Sequence, residues 1–340
     1  MVYSSPGVPV RTWPILLLLA CGGSDGGGKK DGGSPADTDT DTDTDTDTDL
    51  TDTGTPVASK VPLTGACSME TDLGGFAIDS DALLTTVGGA VTNGVVPVTI
   101  LEEVVSDGDC VLLQQNNPFC NPSCMPGETC DWDGTCIPFP AEQDLGTVTI
   151  EGLTDPVEME PNTPGNSYYH LGLPHPPYAP GDLISMHATG GVHPPITLHG
   201  VGLERLETNG STWVIYDGQD MTVNWNPPPG PVRSTVYARI NIDQHGDTPV
   251  RLECNFVDTG EGIIPGTVLT ALINYGVTGI PSGKLTRWTV DSVNVDGGCL
   301  DFAVAWTARP EVDVDGFTPC QSTDDCPPGE ICNEPLEICE

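Results

Sequence analysis

The sequence predicts an all-β protein, an antiparallel β-sandwich with smaller disulfide-stapled parts, and three observations carry that reading. Several short runs alternate apolar and polar residues with a period of two. Pro, Gly and Asp separate these runs at short intervals, and no long 3.6-residue periodicity appears. The alternation is clearest in Val236 to Ile242, where Val236, Ala238, Ile240 and Ile242 share one face, in Val250 to Phe256 and in Leu300 to Trp306.

Residues 141–310 form the expected sandwich domain. Further strands are expected at Thr147 to Leu153, Leu183 to Ala188, Ile196 to Val201, Thr212 to Tyr216, Met221 to Trp225 and Leu285 to Val295. A helical turn or two is expected from Ile264 to Ile273, with Pro265 at its start. An immunoglobulin assignment fails in detail, because no cysteine precedes Trp225 within this domain at the Cys…Trp…Cys spacing. Upstream, residues 60–118 carry Val, Ile and Leu clusters broken by Gly, at Thr85 to Val87, Val95 to Leu101 and Cys110 to Leu113. They read as a small separate β-unit.

Two short segments have no core of their own. Residues 119–140 contain Cys120, Cys124, Cys130 and Cys136, and residues 311–340 contain Cys320, Cys326, Cys332 and Cys339. Both carry Cys-x-Pro-Gly-Glu-x-Cys, an internal repeat of a four-cysteine module. Zinc sites of this kind pair Cys-x-x-Cys hooks or add histidines, and neither feature is present, so disulfides are expected. Spacing leaves three connectivities open in each module; first-to-third with second-to-fourth is one of them. Outside the modules, Cys67 with Cys110 across the small β-unit and Cys254 with Cys299 in the sandwich domain are the expected bridges.

The N-terminus reads as targeting and linker sequence. Residues 1–20 have a positive residue, Arg11, and a short apolar run ending Leu18-Leu19-Ala20, too short to cross a bilayer, so they are expected to be an export signal peptide. A small residue directly before Cys21 resembles a lipobox, which implies lipidation of Cys21 and removal of the signal. Cysteine parity agrees: of 13 cysteines, removing Cys21 leaves 12, enough for six bridges in an oxidising compartment. Residues 21–59 follow as an acidic tether in which Asp37 to Thr48 is six consecutive Asp-Thr pairs. As neutral coil it would reach about 30–35 Å, and like-charge repulsion extends it. Specific calcium binding there is disfavoured, because the run lacks the turn-forming Gly and carbonyl ligands of a calcium loop.

A net charge of −38 with 11 Lys and Arg excludes nucleic acid as a general partner and electrostatic attachment to anionic lipid. Contact with a membrane is expected through lipid on Cys21. No catalytic residue and no cofactor are expected, for there is no Gly-x-Ser-x-Gly elbow and no cysteine left free once the bridges are counted. His187, His193 and His199 are evenly spaced, but Pro194-Pro195 interrupts any strand that would align them on a metal, and no metal site is assigned. His170 and His175 fall in a Pro-rich loop. Asp296-Gly297-Gly298 and Asp315-Gly316 read as turns, and Asp313 to Gly316 lacks the remaining ligands of a calcium loop. The aromatic residues are the best recognition candidates. Trp306 is in phase with the core, whereas Trp213 or Trp288 would stack on a ligand ring if they faced outward.

These features together resemble a group of cysteine-rich lipoproteins of social and predatory soil bacteria. The resemblance rests on Leu-Ala-Cys21, the Asp-Thr tether, the Cys124-x-Pro-Gly-Glu-x-Cys130 module, and Gly146-Thr-Val-Thr-Ile-Glu-Gly-Leu153. It continues through Cys254 with Asp258-x-Gly260 and Ile264-Pro265 to the terminal module. It implies a location at the outer membrane or cell surface and carries no activity. The expected function is non-catalytic binding to a glycan or another envelope protein. The alternatives are an envelope-polymer hydrolase using a carboxylate pair or a His-bound metal, and a purely structural envelope component.

Overall fold

The computed structural model describes residues 61–115, 120–210, 212–230, 233–242 and 250–340. The signal, Cys21, the tether and His245 lie outside them. In chain order the strands are β1 (Asp72–Ser80), β2 (Thr85–Val91), β3 (Glu102–Asp107), β4 (Cys110–Gln114), β5 (Glu128–Cys130), β6 (Cys136–Pro138), β7 (Val148–Glu151) and β8 (Val157–Met159). They continue with β9 (Tyr168–His170), β10 (Leu183–Ala188), β11 (Ile196–Val201), β12 (Thr212–Ile215), β13 (Met221–Asn224), β14 (Thr235–Asn241), β15 (Val250–Val257) and β16 (Glu261–Ile264). Helix α1 (Gly266–Ile273) precedes β17 (Ser282–Val295), β18 (Gly298–Ala308), β19 (Glu311–Val314), β20 (Cys332–Asn333) and β21 (Ile338–Cys339).

One long sheet organises the molecule, in the order β3-β4-β15-β14-β17-β18-β1-β2-β9, with β12 and β19 attached beside β17. It is mixed rather than wholly antiparallel: β1 runs parallel to β18, and β12 parallel to β19. Residues 60–118 are therefore not a separate unit. Their β1 and β2 extend the sheet on the β18 side, while β3 and β4 extend it beyond β15. The glycines that broke the strand pattern here permit close approach. A Cβ on Gly75 would stand 1.9 Å from the Asp301 carbonyl oxygen, and one on Gly89 2.1 Å from that of Gly75. Residues Val95 to Leu101 are not a strand: a 3-10 turn spans Pro97–Thr99.

One face of the long sheet buries two cores side by side. Over β1, β2, β9 and β18 packs the four-stranded sheet β11-β10-β7-β8, joining Phe76, Ile78, Phe302 and Val304 to Val148, Ile150, Ile184 and Leu198. Over β4, β14 and β15 pack β12, β19, the β13–β16 pair and α1, joining Val236, Ile240 and Leu252 to Ile215, Val223 and Leu269. This two-layer burial is the expected sandwich logic. The opposite face of the long sheet carries a smaller cluster of Tyr237, Trp288, Val290, Ala303 and Ala305.

Arg287 stands between the two cores, fully buried, as does its partner Asp258. The guanidinium donates to Asp258 from Nε at 2.6 Å and Nη2 at 3.0 Å. Its remaining N–H groups reach the Glu204 and Arg205 carbonyls at 3.1 and 3.2 Å, and the Asn226 carbonyl. Asp258 also accepts from Trp225 Nε1 at 2.7 Å and Ser234 Oγ at 2.6 Å. With every donor matched, burial of the charge is tolerated. Arg287→Met alone leaves an uncompensated buried carboxylate and should cost about 3–5 kcal/mol. Denaturant unfolding of the full chain measures this; a cost below 1 kcal/mol would refute the role given to the pair.

Candidate binding surface

Both small modules are hairpins held by crossed bridges. Cys120 pairs with Cys130 and Cys124 with Cys136; in the C-terminal module Cys320 pairs with Cys332 and Cys326 with Cys339. Their shared motif makes the same turn. In Met125-Pro126-Gly127-Glu128 the Glu128 N–H donates to the Met125 carbonyl, Pro fixes the second position, and Gly127 has φ 87°. In Pro327 to Glu330 the matching bond joins Glu330 N–H to Pro327, with Gly329 at φ 100°.

In the first module the strands β5 and β6 pair from Glu128↔Pro138 to Cys130↔Cys136, so residues 131–135 form the hairpin tip. Asp131 and Asp133 stiffen it. Asp131 Oδ1 accepts from Trp132 N–H at 2.9 Å, while Asp133 Oδ1 accepts from Thr135 N–H at 2.9 Å and Thr135 Oγ1 at 2.6 Å. The bond from the Thr135 hydroxyl, with that from its N–H, lowers the Asp133 pKa, so this carboxylate stays ionised at neutral pH. At the tip stands Trp132, 64 % exposed. Met125 and Phe139, on the same module, are also exposed.

Trp132 is the one exposed tryptophan among the described residues. Trp213 and Trp288, read from the sequence as outward stacking candidates, are buried at 7 % and 8 % exposure, a correction with a simple cause. On β12, Trp213 has the same phase as Ile215 and enters the core against β19; Trp288 packs beside Tyr237 at 6.2 Å between ring centres. Alternation identifies strands, but it does not say which face of a two-faced sheet meets solvent. Trp132 sits in a turn, where no periodicity marks it; its sequence signal is a large aromatic between two Asp inside a cysteine-clamped loop.

The longer bridges also differ from expectation. Cys67 pairs with Cys299 and Cys110 with Cys254, in place of Cys67–Cys110 and Cys254–Cys299. Sheet order decides this, for β4 lies against β15 with Cys110 opposite Cys254, and the parallel β1–β18 pairing begins at Asp72↔Cys299. All twelve cysteines other than Cys21 are thus bridged, which places the folded part in an oxidising compartment.

Among the described residues the histidines are distributed rather than convergent. His187 and His199 share the outer face of the β10–β11 pair, each bonded to a cross-strand hydroxyl, Thr197 at 3.0 Å and Ser185 at 3.1 Å. His175 contacts Thr85 Oγ1 at 3.0 Å, and His193 is buried. Among the described residues, each converging trio of possible metal ligands is built on disulfide-bonded cysteines, whose sulfurs are already committed.

Two carboxyls have raised pKa values: Asp79 and Glu253, both through burial. They lie on β1 and β15, four strand spacings apart, about 19 Å at 4.8 Å each. A glycosidase pair needs about 5–10 Å, so these two carboxyls cannot act as one. A surface depression of about 280 Å³ gathers Thr92, Asn93, Gln143, His193 and Asp296. Three of its polar groups serve the backbone: Thr92 Oγ1 donates to the Leu73 and Gly94 carbonyls, Gln143 Nε2 to that of Ala141, and Asn93 Oδ1 accepts from the Ala141 N–H.

No family model matches the chain, and no curated protein does. Solved structures give faint likenesses. One is to the FN1-FN3 domains of chicken CNTN1, at 6 % identity, covering 66 % of this chain and 72 % of that one with a TM-score of 0.17. Another is to a tetra-tandem repeat in the extending region of a large adhesion protein, at 11 % identity, 73 % and 76 % coverage and a TM-score of 0.18. Likenesses this faint carry no argument about function.

The pairing makes a stability prediction. Replacing Cys110 and Cys254 by Ala together should cost about 2–5 kcal/mol, since the bridge closes a separation of 144 residues. Non-reducing peptide mapping should recover Cys67–Cys299 and Cys110–Cys254; recovery of Cys254–Cys299 would contradict the sheet order.

Proposed function

We propose that this chain is an exported, lipid-anchored β-sandwich protein of the outer membrane or cell surface. It works by binding a glycan or another envelope protein rather than by catalysis. The observation that carries the binding role is Trp132. A large ring held 64 % exposed on a doubly bridged hairpin gains nothing for the fold. A rigid aromatic anchor of this kind loses little conformational entropy when it docks, and Trp is the residue most enriched at binding hot spots.

The anchor reading draws on different support. The Leu18-Leu19-Ala20-Cys21 sequence fits a lipobox, and Cys21 is the cysteine that six bridges leave over. The acidic stretch of residues 21–59 then serves as the spacer between membrane and domain.

Glycan arrays and pull-downs from envelope extracts with the full chain test the binding role. Trp132→Ala should weaken the recovered interaction by about 2 kcal/mol or more, roughly 30-fold, and leave unfolding stability within about 0.5 kcal/mol. Trp213→Ala should do the reverse, costing about 3–5 kcal/mol of stability. Binding that survives Trp132→Ala unchanged would remove the tip from the account. For the anchor, Cys21→Ser should move the protein from the membrane pellet to the soluble fraction; retention in the pellet would contradict lipidation.

A further inference from the structure

The face of the long sheet away from the two cores gathers an unusual share of the positive charge. Of the 11 lysines and arginines, Arg11, Lys29, Lys30 and Lys60 precede the described residues, which leaves seven. Four of the seven, Arg251, Arg239, Lys284 and Arg309, line up across neighbouring strands. Arg239 on β14 is directly opposite Lys284 on β17. Arg309 follows Ala308, the last residue of β18, and so stands next to Lys284, one step past the Leu285↔Ala308 pair. On β15, Glu253 is directly opposite Arg239, and Arg251 lies two residues away on the same face.

The fold offsets this row only in part: Glu253 is opposite Arg239 on β15, and the Asp79 carboxylate attracts Lys284 and Arg309. Like charges facing each other across strands are destabilising. Burial lowers the pKa values of Arg239 and Lys284, so both cations are held with incomplete hydration. Two carboxyls lie in the row, and each already has a partner. Glu253 is 2.5 Å from Arg251, and Asp79 accepts from Thr307 Oγ1 at 2.8 Å. Arg239, Lys284 and Arg309 make no hydrogen bond or ion pair with any described residue. Four residues further along β17 on the same face, the buried Trp288 Nε1–H has no acceptor among the described residues. In a chain with 49 Asp and Glu, four cations against two carboxylates, Glu253 and Asp79, give this face a local positive excess.

We propose that this row binds an acidic polysaccharide through its carboxylates. Guanidinium groups grip carboxylates with two parallel bonds, and an anion between Arg239 and Lys284 relieves their repulsion. The sheet's own backbone groups are taken up by its ladders. An extended peptide therefore finds no ladder to join, and the face offers a ligand its cationic side chains. This ligand site uses none of the residues of the Trp132 tip, so either can fail without the other.

Calorimetric titration of the full chain at about 0.15 M salt, where the screening length is about 8 Å, isolates the local row from the distant acidic charge. Polygalacturonate should bind, dextran should not, and poly-glutamate should bind at least tenfold more weakly. Arg309→Gln, at an exposed position that leaves the fold alone, and Lys284→Gln should each weaken polygalacturonate binding about tenfold, the loss of one charge-assisted bond. Arg205→Gln, an exposed base off the row, should change nothing. Failure of polygalacturonate to bind overturns the proposal. So does equal affinity for poly-glutamate, which would make the row a site for acidic protein, and so does an equal loss in Arg205→Gln, which would reduce it to diffuse charge.

Discussion

The fold depends on the Arg287–Asp258 pair. Two hydrophobic cores lie side by side on one sheet face, and apolar contact alone does not register the layers that cover them. Arg287 comes from the central β17, and its guanidinium reaches carbonyls at 204, 205 and 226, which belong to the segments that lead out of the covering layers. Asp258 closes β15 and adds the start of β14 through Ser234 and the end of β13 through Trp225. Four segments distant in sequence are fixed to one buried charge pair, and directional bonds supply the registration that non-directional burial lacks.

Asp291 does similar work four residues further along β17. Its Oδ2 accepts from the His199 N–H of β11 at 2.9 Å, and its Oδ1 from the Thr64 N–H and hydroxyl at 3.0 and 2.7 Å. One side chain thus joins the covering sheet to the incoming N-terminal segment. Together the two acids explain why β17, 14 residues long, is tolerant of polar residues on its core-facing side.

Much of the fold was legible in the sequence, and the failures have physical causes. Strands β14, β15 and β18 were readable because one face of each is apolar and the pattern is unbroken. Strand β1 was hidden by Gly74 and Gly75, which are there for close backbone approach and say nothing through hydropathy. Helix α1 was marked by Pro265. Strand order was not legible, because alternation is a local property while pairing is not. That is why the cysteines were sorted into the wrong long bridges although each was rightly expected to be paired. The same limit hid the cationic row, whose members are close in space and up to 70 positions apart in sequence, from Arg239 to Arg309. Trp132 was hidden differently, by lying in a turn that carries no alternation.

The Cys67–Cys299 bridge gives the molecule a mechanical property. The described residues begin at 61, and the first covalent crosslink after that point reaches the start of β18, well inside the sheet. A pull on the N-terminal side is handed directly to the β17–β18 hairpin, whose strands run antiparallel over eleven residue pairs from Leu285↔Ala308 to Val295↔Gly298. Strand β1 sits behind the crosslink and carries no peeling load, so its parallel, glycine-rich pairing with β18 is shielded. A domain held from this end and stressed by what it holds would resist by shear across its longest ladder, instead of unzipping from its first strand.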